Sequence, residues 1–182
     1  DRNHWGGAAT LGIVPNARFA ANAFAGTKVT AWAMNLIWYE EAHLRGQDEV
    51  VLLNERGEVS ECTSANIFAV YSREGGAEVL TPPLRESGCL PGITRELLLE
   101  EIRVPDITVR ERTLELSDLE AADGVFITSS TRDMLPVAAI EGLSIRQEDA
   151  VRQALASAFA AYEAKYTASA KRRAKAPQSP VS

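Results

Sequence analysis

The chain has 182 residues, 46% of them hydrophobic and 24% charged, the composition of one globular domain or slightly more. No apolar run reaches the roughly 20 residues that cross a bilayer, and 2 cysteines and 2 scattered histidines make neither a disulfide framework nor a zinc site. Four of the 19 bases and none of the 25 acids lie in the last fourteen residues, so residues 1–168 carry 15 bases against 25 acids and would repel nucleic acid.

In chain order, residues 8–14 read as a short apolar strand stopped by Pro15, and a loop of small residues leads to Gly26. From Lys28 to Arg45 the apolar positions Trp32, Leu36, Tyr39 and Leu44 recur at helical spacing, with Gly46 as a C-cap. Strands are predicted over 49–53, 59–64, 66–72 and 77–81, with turns at 54–57 and 74–76. Pro82 and Pro83 open a loop that ends at Pro91-Gly92, where a helix over 93–102 begins. A strand follows over 107–112, a capped short helix at 117–120 and a buried strand over 125–128. Residues 136–145 suggest a hairpin around Glu141-Gly142, and 148–166 an Ala-rich amphipathic helix. The tail, 169–182, is basic and Pro-containing and reads as disordered. The expected fold is α+β, a mixed sheet with flanking helices.

Three segments could carry chemistry. Gly92-Ile93-Thr94-Arg95 starts a helix, where free N–H groups and the dipole favour an anion; a plain helix start is the alternative. Thr128-Ser129-Ser130-Thr131 is a hydroxyl cluster after a buried strand, suited to a ligand or simply to a turn. Glu61 alternates onto the same strand face as Val59 and Thr63. Such an acid either meets a cation or gives up a proton on a central strand, or faces water on an edge strand.

Taken in order, these segments carry a resemblance. The series is Lys28, residues 54–61, Ser64-Ala65-Asn66-Ile67-Phe68, Leu80-Thr81-Pro82-Pro83, Leu90-Pro91-Gly92-Ile93-Thr94-Arg95, residues 122–126 and Thr128-Ser129-Ser130-Thr131 with Pro136-Val137. It resembles the fold-type IV pyridoxal-phosphate enzymes: branched-chain aminotransferase, D-amino acid aminotransferase and aminodeoxychorismate lyase. The likeness covers about residues 10–150. It implies that residues 1–168 are the large, cofactor-binding domain of the D-amino acid aminotransferase-like fold. The family's small N-terminal domain is missing from this sequence: either it precedes the chain in a longer protein, as the start at Asp1 without Met also suggests, or the protein lacks it.

The resemblance further implies a cofactor, pyridoxal 5'-phosphate, and a role for each matched residue. Lys28 matches the lysine that forms the Schiff base and shuttles the proton. Glu61 matches the acid that pairs with the pyridine nitrogen, and Leu90 the side chain packed on the ring. Ile93 and Thr94 match the residues whose amides, with the Thr94 hydroxyl, hold the phosphate, Ser130 a phosphate-contacting hydroxyl, and Thr131 an amide that helps bind the substrate carboxylate. Arg95 and Asn66 read as structural, in a helix-start ion pair and in fixing a turn. The aromatic residue that many members carry after the lysine has no clear match in Thr30-Ala31-Trp32-Ala33, and Arg18 does not replace the small domain's phosphate arginine.

The implied activity is transamination between an amino acid, branched-chain type favoured, and a 2-oxo acid, in a homodimer. The alternative is aminodeoxychorismate lyase, which eliminates pyruvate with the same cofactor. Of another class, a non-catalytic cofactor-binding remnant would also carry these motifs. No metal, nucleic acid or membrane partner is expected, and two distant thiols suit a cytoplasmic setting.

Overall fold

The computed structural model of the chain describes residues 7–30 and 32–175; His4 and the end of the tail lie outside them. Its strands are β1 (Ala9–Arg18), β2 (Glu49–Asn54), β3 (Val59–Cys62), β4 (Asn66–Arg73), β5 (Gly76–Thr81), β6 (Ile107–Glu111), β7 (Gly124–Ser129) and β8 (Asp133–Ile140). The helices are α1 (Ala33–Leu44), α2 (Leu84–Ser87), α3 (Ile93–Glu100), α4 (Leu116–Ala121) and α5 (Ala150–Lys175). All eight strands join one mixed sheet in the order β3-β2-β1-β8-β7-β4-β5-β6. β1 runs parallel to β2 and β8, and β5 to β6; the remaining pairs are antiparallel.

Period-two alternation sends successive side chains to opposite faces, and both faces are apolar. Ile67, Ala69 and Tyr71 of β4 and Val125 and Ile127 of β7 enter a core that also takes Leu11 from β1, Val51 from β2 and Val59 from β3. Strands from one end of the sheet to near the other thus share one core, and the sheet curls around it. Phe68 and Phe126, on the outer face, stack with centroids 4.9 Å apart and planes 2° apart. They pack beneath Leu98 of α3 and Leu155 of α5. A third cluster seats Trp38 and Ala42 of α1 on Val50 and Leu52 of β2.

Several expected boundaries shift. Pro15 does not stop β1, because the register against β2 slips between Val14 and Arg18 and the pairing to β8 reaches only Leu11, so the missing N–H is not needed. The first helix begins at Ala33 rather than at Lys28, and its apolar stripe is not its buried face. Asn35 and Ala42 are buried, whereas Leu36 and Leu44 are exposed. β3 ends at Cys62, since the next N–H, that of Thr63, donates to the Glu49 carboxylate. The expected 136–145 hairpin reduces to a tight turn closed by an Ile140–Leu143 bridge, and the larger hairpin pairs β7 with β8. Pro136 fits β8 because its ladder to β1 begins only at Val137. α5 runs on through residues 169–175, where the composition of the tail predicts disorder. Ala, Lys and Arg are strong helix formers and extend the preceding amphipathic helix.

Candidate active site

Lys28, Glu61 and Leu90 line one cavity of about 790 Å³. Lys28 is exposed, in an irregular segment that leads into α1. Phe24, Trp32 and Trp38 contribute an apolar wall. Glu61 stands on β3, one of the two edge strands of the sheet, yet is only 3% exposed. The edge is covered: the Val59 N–H donates to the Leu114 carbonyl at 2.7 Å, and the acid turns inward. Its Oε1 accepts from Arg18 Nε at 3.0 Å and its Oε2 from the Leu90 N–H at 3.0 Å. Burial pushes the carboxyl above the ordinary range, while Arg18 is the largest influence pulling it down. Of the alternatives open in the sequence, the acid has met a cation.

Ile93, Thr94 and Ser130 line a second cavity of about 300 Å³, separated from the first in the chain by Pro91-Gly92. Gly92 is the N-cap of α3 and offers no side-chain cap, which leaves first-turn N–H groups to an outside acceptor. A Cβ on Gly92 would collide with Asn66 Oδ1. Asn66 Nδ2 donates to the Leu90 carbonyl at 2.9 Å and so fixes the turn that carries both Leu90 and the helix start. Arg95 is buried, donates to the Pro82 carbonyl at 2.8 Å and pairs with Glu111, the structural role read for it. Thr131 is exposed and lines neither cavity; its hydroxyl lies 3.2 Å from that of Ser129.

Some contributors escape motif reading. Phe159, Tyr162 and Tyr166 of α5 wall the second cavity, with Asp133 and Glu163 as its acids. Arg18 and Asn35 stand beside Glu61, and a buried ion pair joins Glu49 to Arg132 next to Thr131. Of these, Asn35 alone stands out in the sequence, as a polar residue within the apolar stretch 31–39. Both cysteines are buried; burial pushes the Cys89 thiol up to about 11 and that of Cys62 well above its ordinary value. Among the described residues no cluster of His, Cys, Asp or Glu could hold a metal, and no helix is long and apolar enough to cross a membrane.

Residues 4–140 match the family of class IV aminotransferases, and the chain belongs to it. That family works with pyridoxal phosphate. The branched-chain-amino-acid aminotransferase of Escherichia coli is 32% identical over 111 residues, which are 61% of this chain and 34% of that protein. The solved structure of the branched-chain amino acid aminotransferase from Escherichia coli superimposes with a TM-score of 0.70 at 28% identity, covering 84% of this chain and 51% of that one. A Legionella pneumophila structure named "Putative 4-amino-4-deoxychorismate lyase" gives 0.73 at 26% identity, covering 81% of this chain and 53% of that one. The chain therefore spans about a third of the length of the curated relatives it matches.

Proposed function

We propose that the chain is the cofactor-binding part of a pyridoxal 5'-phosphate-dependent aminotransferase that passes an amino group between a branched-chain amino acid and a 2-oxo acid. The observation that carries this reading is the sharing of one cavity by an exposed lysine and a buried carboxylate, with an uncapped helix start two residues along the chain from Leu90 on its wall. These groups fit the cofactor. Lys28 would hold its aldehyde carbon, Glu61 its ring nitrogen and Leu90 a ring face. The Ile93 and Thr94 amides with the Ser130 hydroxyl would hold the phosphate, for which an uncapped N-terminus is suited. Gly92 lets the helix start lie against Asn66, since a Cβ there would collide with Asn66 Oδ1. When bound, the cofactor supplies an electron sink for the charge left at the substrate Cα. Lys28 would take the Cα proton, and the Thr131 amide would receive the substrate carboxylate.

The branched-chain enzymes among the relatives support the substrate class. By the same reading the protein acts as a homodimer in the cytoplasm. Met34, Leu36 and Ile37, exposed on α1, are side chains that a second copy would cover, and two buried free thiols suit a reducing compartment. The likeness to the Legionella protein favours pyruvate elimination from aminodeoxychorismate as the second reading. The test is to supply cofactor, L-leucine and 2-oxoglutarate, and in parallel aminodeoxychorismate. Leucine-dependent glutamate formation is expected. Pyruvate release without amino transfer would replace this reading by the lyase, and neither product from a protein that holds the cofactor would leave a non-catalytic domain.

A further inference from the structure

The cavity wall behind Glu61 contains a polar cluster that none of the roles above uses. It begins with a bulge in β1, where the register against β2 slips between Val14 and Arg18 and Asn16 takes a φ of 53°. Bulges re-aim the side chains that follow them, and this one delivers Arg18 inward at the strand end. Arg18 donates from Nε to Glu61 Oε1 at 3.0 Å and from Nη1 to Asn35 Oδ1 at 3.1 Å. Asn35 is 6% exposed and donates from Nδ2 to the Thr63 carbonyl at 2.8 Å, two residues beyond Glu61. The Leu90 N–H holds the other carboxylate oxygen. Each oxygen of Glu61 then has one fixed donor and a second acceptor position to offer. Arg18, Asn35 and Glu61 all line the cavity they share with Lys28.

We propose that Arg18, clamped by Asn35, is a positioning residue that holds Glu61 as a carboxylate aimed into the cavity, ready to accept from a cofactor's ring nitrogen. This rests on the reading of Glu61 as the acid that faces the ring. A buried acid left to itself favours its neutral form, whose O–H would present a donor where an acceptor is needed. Glu49 on β2 pushes in the same direction, and Arg18 is the strongest opposing influence. The other titratable groups nearby are the thiols of Cys62 and Cys89, and Lys28 faces the same space. The planar fork of arginine lets one side chain grip Glu61 and Asn35 at a fixed angle, which an ammonium does not reproduce. The clamp therefore sets both the charge and the direction of the acid.

The test uses protein labelled with 13C at glutamate side-chain carboxyls, free of cofactor, with the Glu61 signal assigned from Glu61→Gln. Its titration midpoint is expected to rise by about 1–3 pH units in Arg18→Met and to stay near the native value in Arg18→Lys. Asn35→Ala keeps both charges and is expected to give a smaller rise; it decides the matter if Arg18→Met does not fold. With pyridoxal phosphate added, the pH at which the bound absorption band changes should follow the same order. A Glu61 midpoint unmoved by Arg18→Met and by Asn35→Ala overturns the proposal. Midpoints that move as stated in a protein that fails to take up the cofactor would leave the clamp standing and sink the cofactor reading.

Discussion

Glu49 on β2 and Arg132 beyond β7 are 83 residues apart in the chain, yet Arg132 Nη1 donates to Glu49 Oε2 at 3.1 Å. Glu49 is 1% exposed and also accepts from the Thr63 N–H, the Thr63 hydroxyl and the Ser64 hydroxyl. One carboxylate thereby ties the turn after Glu61 to the turn that carries Ser130 and Thr131. Asp133, next to Arg132, takes a φ of 55°, so this turn is held in a conformation that residues with a side chain rarely adopt.

Removing one partner of a buried pair leaves the other charge uncompensated, at a cost of about 3–5 kcal/mol. Arg132→Met should lose stability on that scale in urea denaturation. A loss under about 1 kcal/mol, the range of surface pairs, would show that the tie contributes little.

Gly92→Ala places a methyl group against Asn66 Oδ1. Either Asn66 shifts and frees the Leu90 carbonyl, or α3 moves; overpacking of this kind costs about 1–3 kcal/mol. Weaker binding of pyridoxal phosphate, measured by equilibrium dialysis, should accompany the lower melting temperature. Native-like affinity would argue that the helix start does not hold the phosphate.

Arg152 holds the Asp149 carboxyl below its ordinary value of 3.8. A depressed folded-state value means that the stability contributed is present above the unfolded value and lost as pH falls through the folded one. Asp149→Asn should therefore melt below the native protein at pH 7, and the gap should close as falling pH protonates the folded-state carboxyl. A gap that persists in acid would assign the effect to packing rather than to charge.

Cys62 and Cys89 are buried with raised thiol values, so few thiolates are available at pH 8. A disulfide reagent should label both quickly in denaturant and slowly in the native protein. Rapid native labelling of either would contradict the packing around Glu61.

Much of the sheet is legible because β4 and β7 alternate between two apolar faces and Gly57, Gly75 and Gly142 mark turns at positive φ. The candidate site residues come from an ordered series of motifs; the structure places Lys28, Glu61 and Leu90 around one cavity and Ile93, Thr94 and Ser130 around another, and Thr131 on neither. Periodicity misreads α1 because its buried polar residue, Asn35, finds partners 17 and 28 residues away, at Arg18 and Thr63. Local spacing carries no information about such pairs. The same holds for Glu49 with Arg132, and for the α5 aromatics that reach the second cavity only through tertiary packing. The first part of the tail differs for another reason: basic, Pro-containing composition suggests disorder, whereas helix propensity continues α5 as far as residue 175.

The most direct measurement is covalent. The protein would be mixed with pyridoxal phosphate, its visible spectrum recorded, the adduct reduced with borohydride and the label located by peptide mass spectrometry. A single pyridoxyl group on Lys28, absent from Lys28→Ala while that variant keeps the native melting temperature, is the expected result. A label scattered over surface lysines, or none, would contradict the assignment of Lys28 and of the cavity it shares with Glu61.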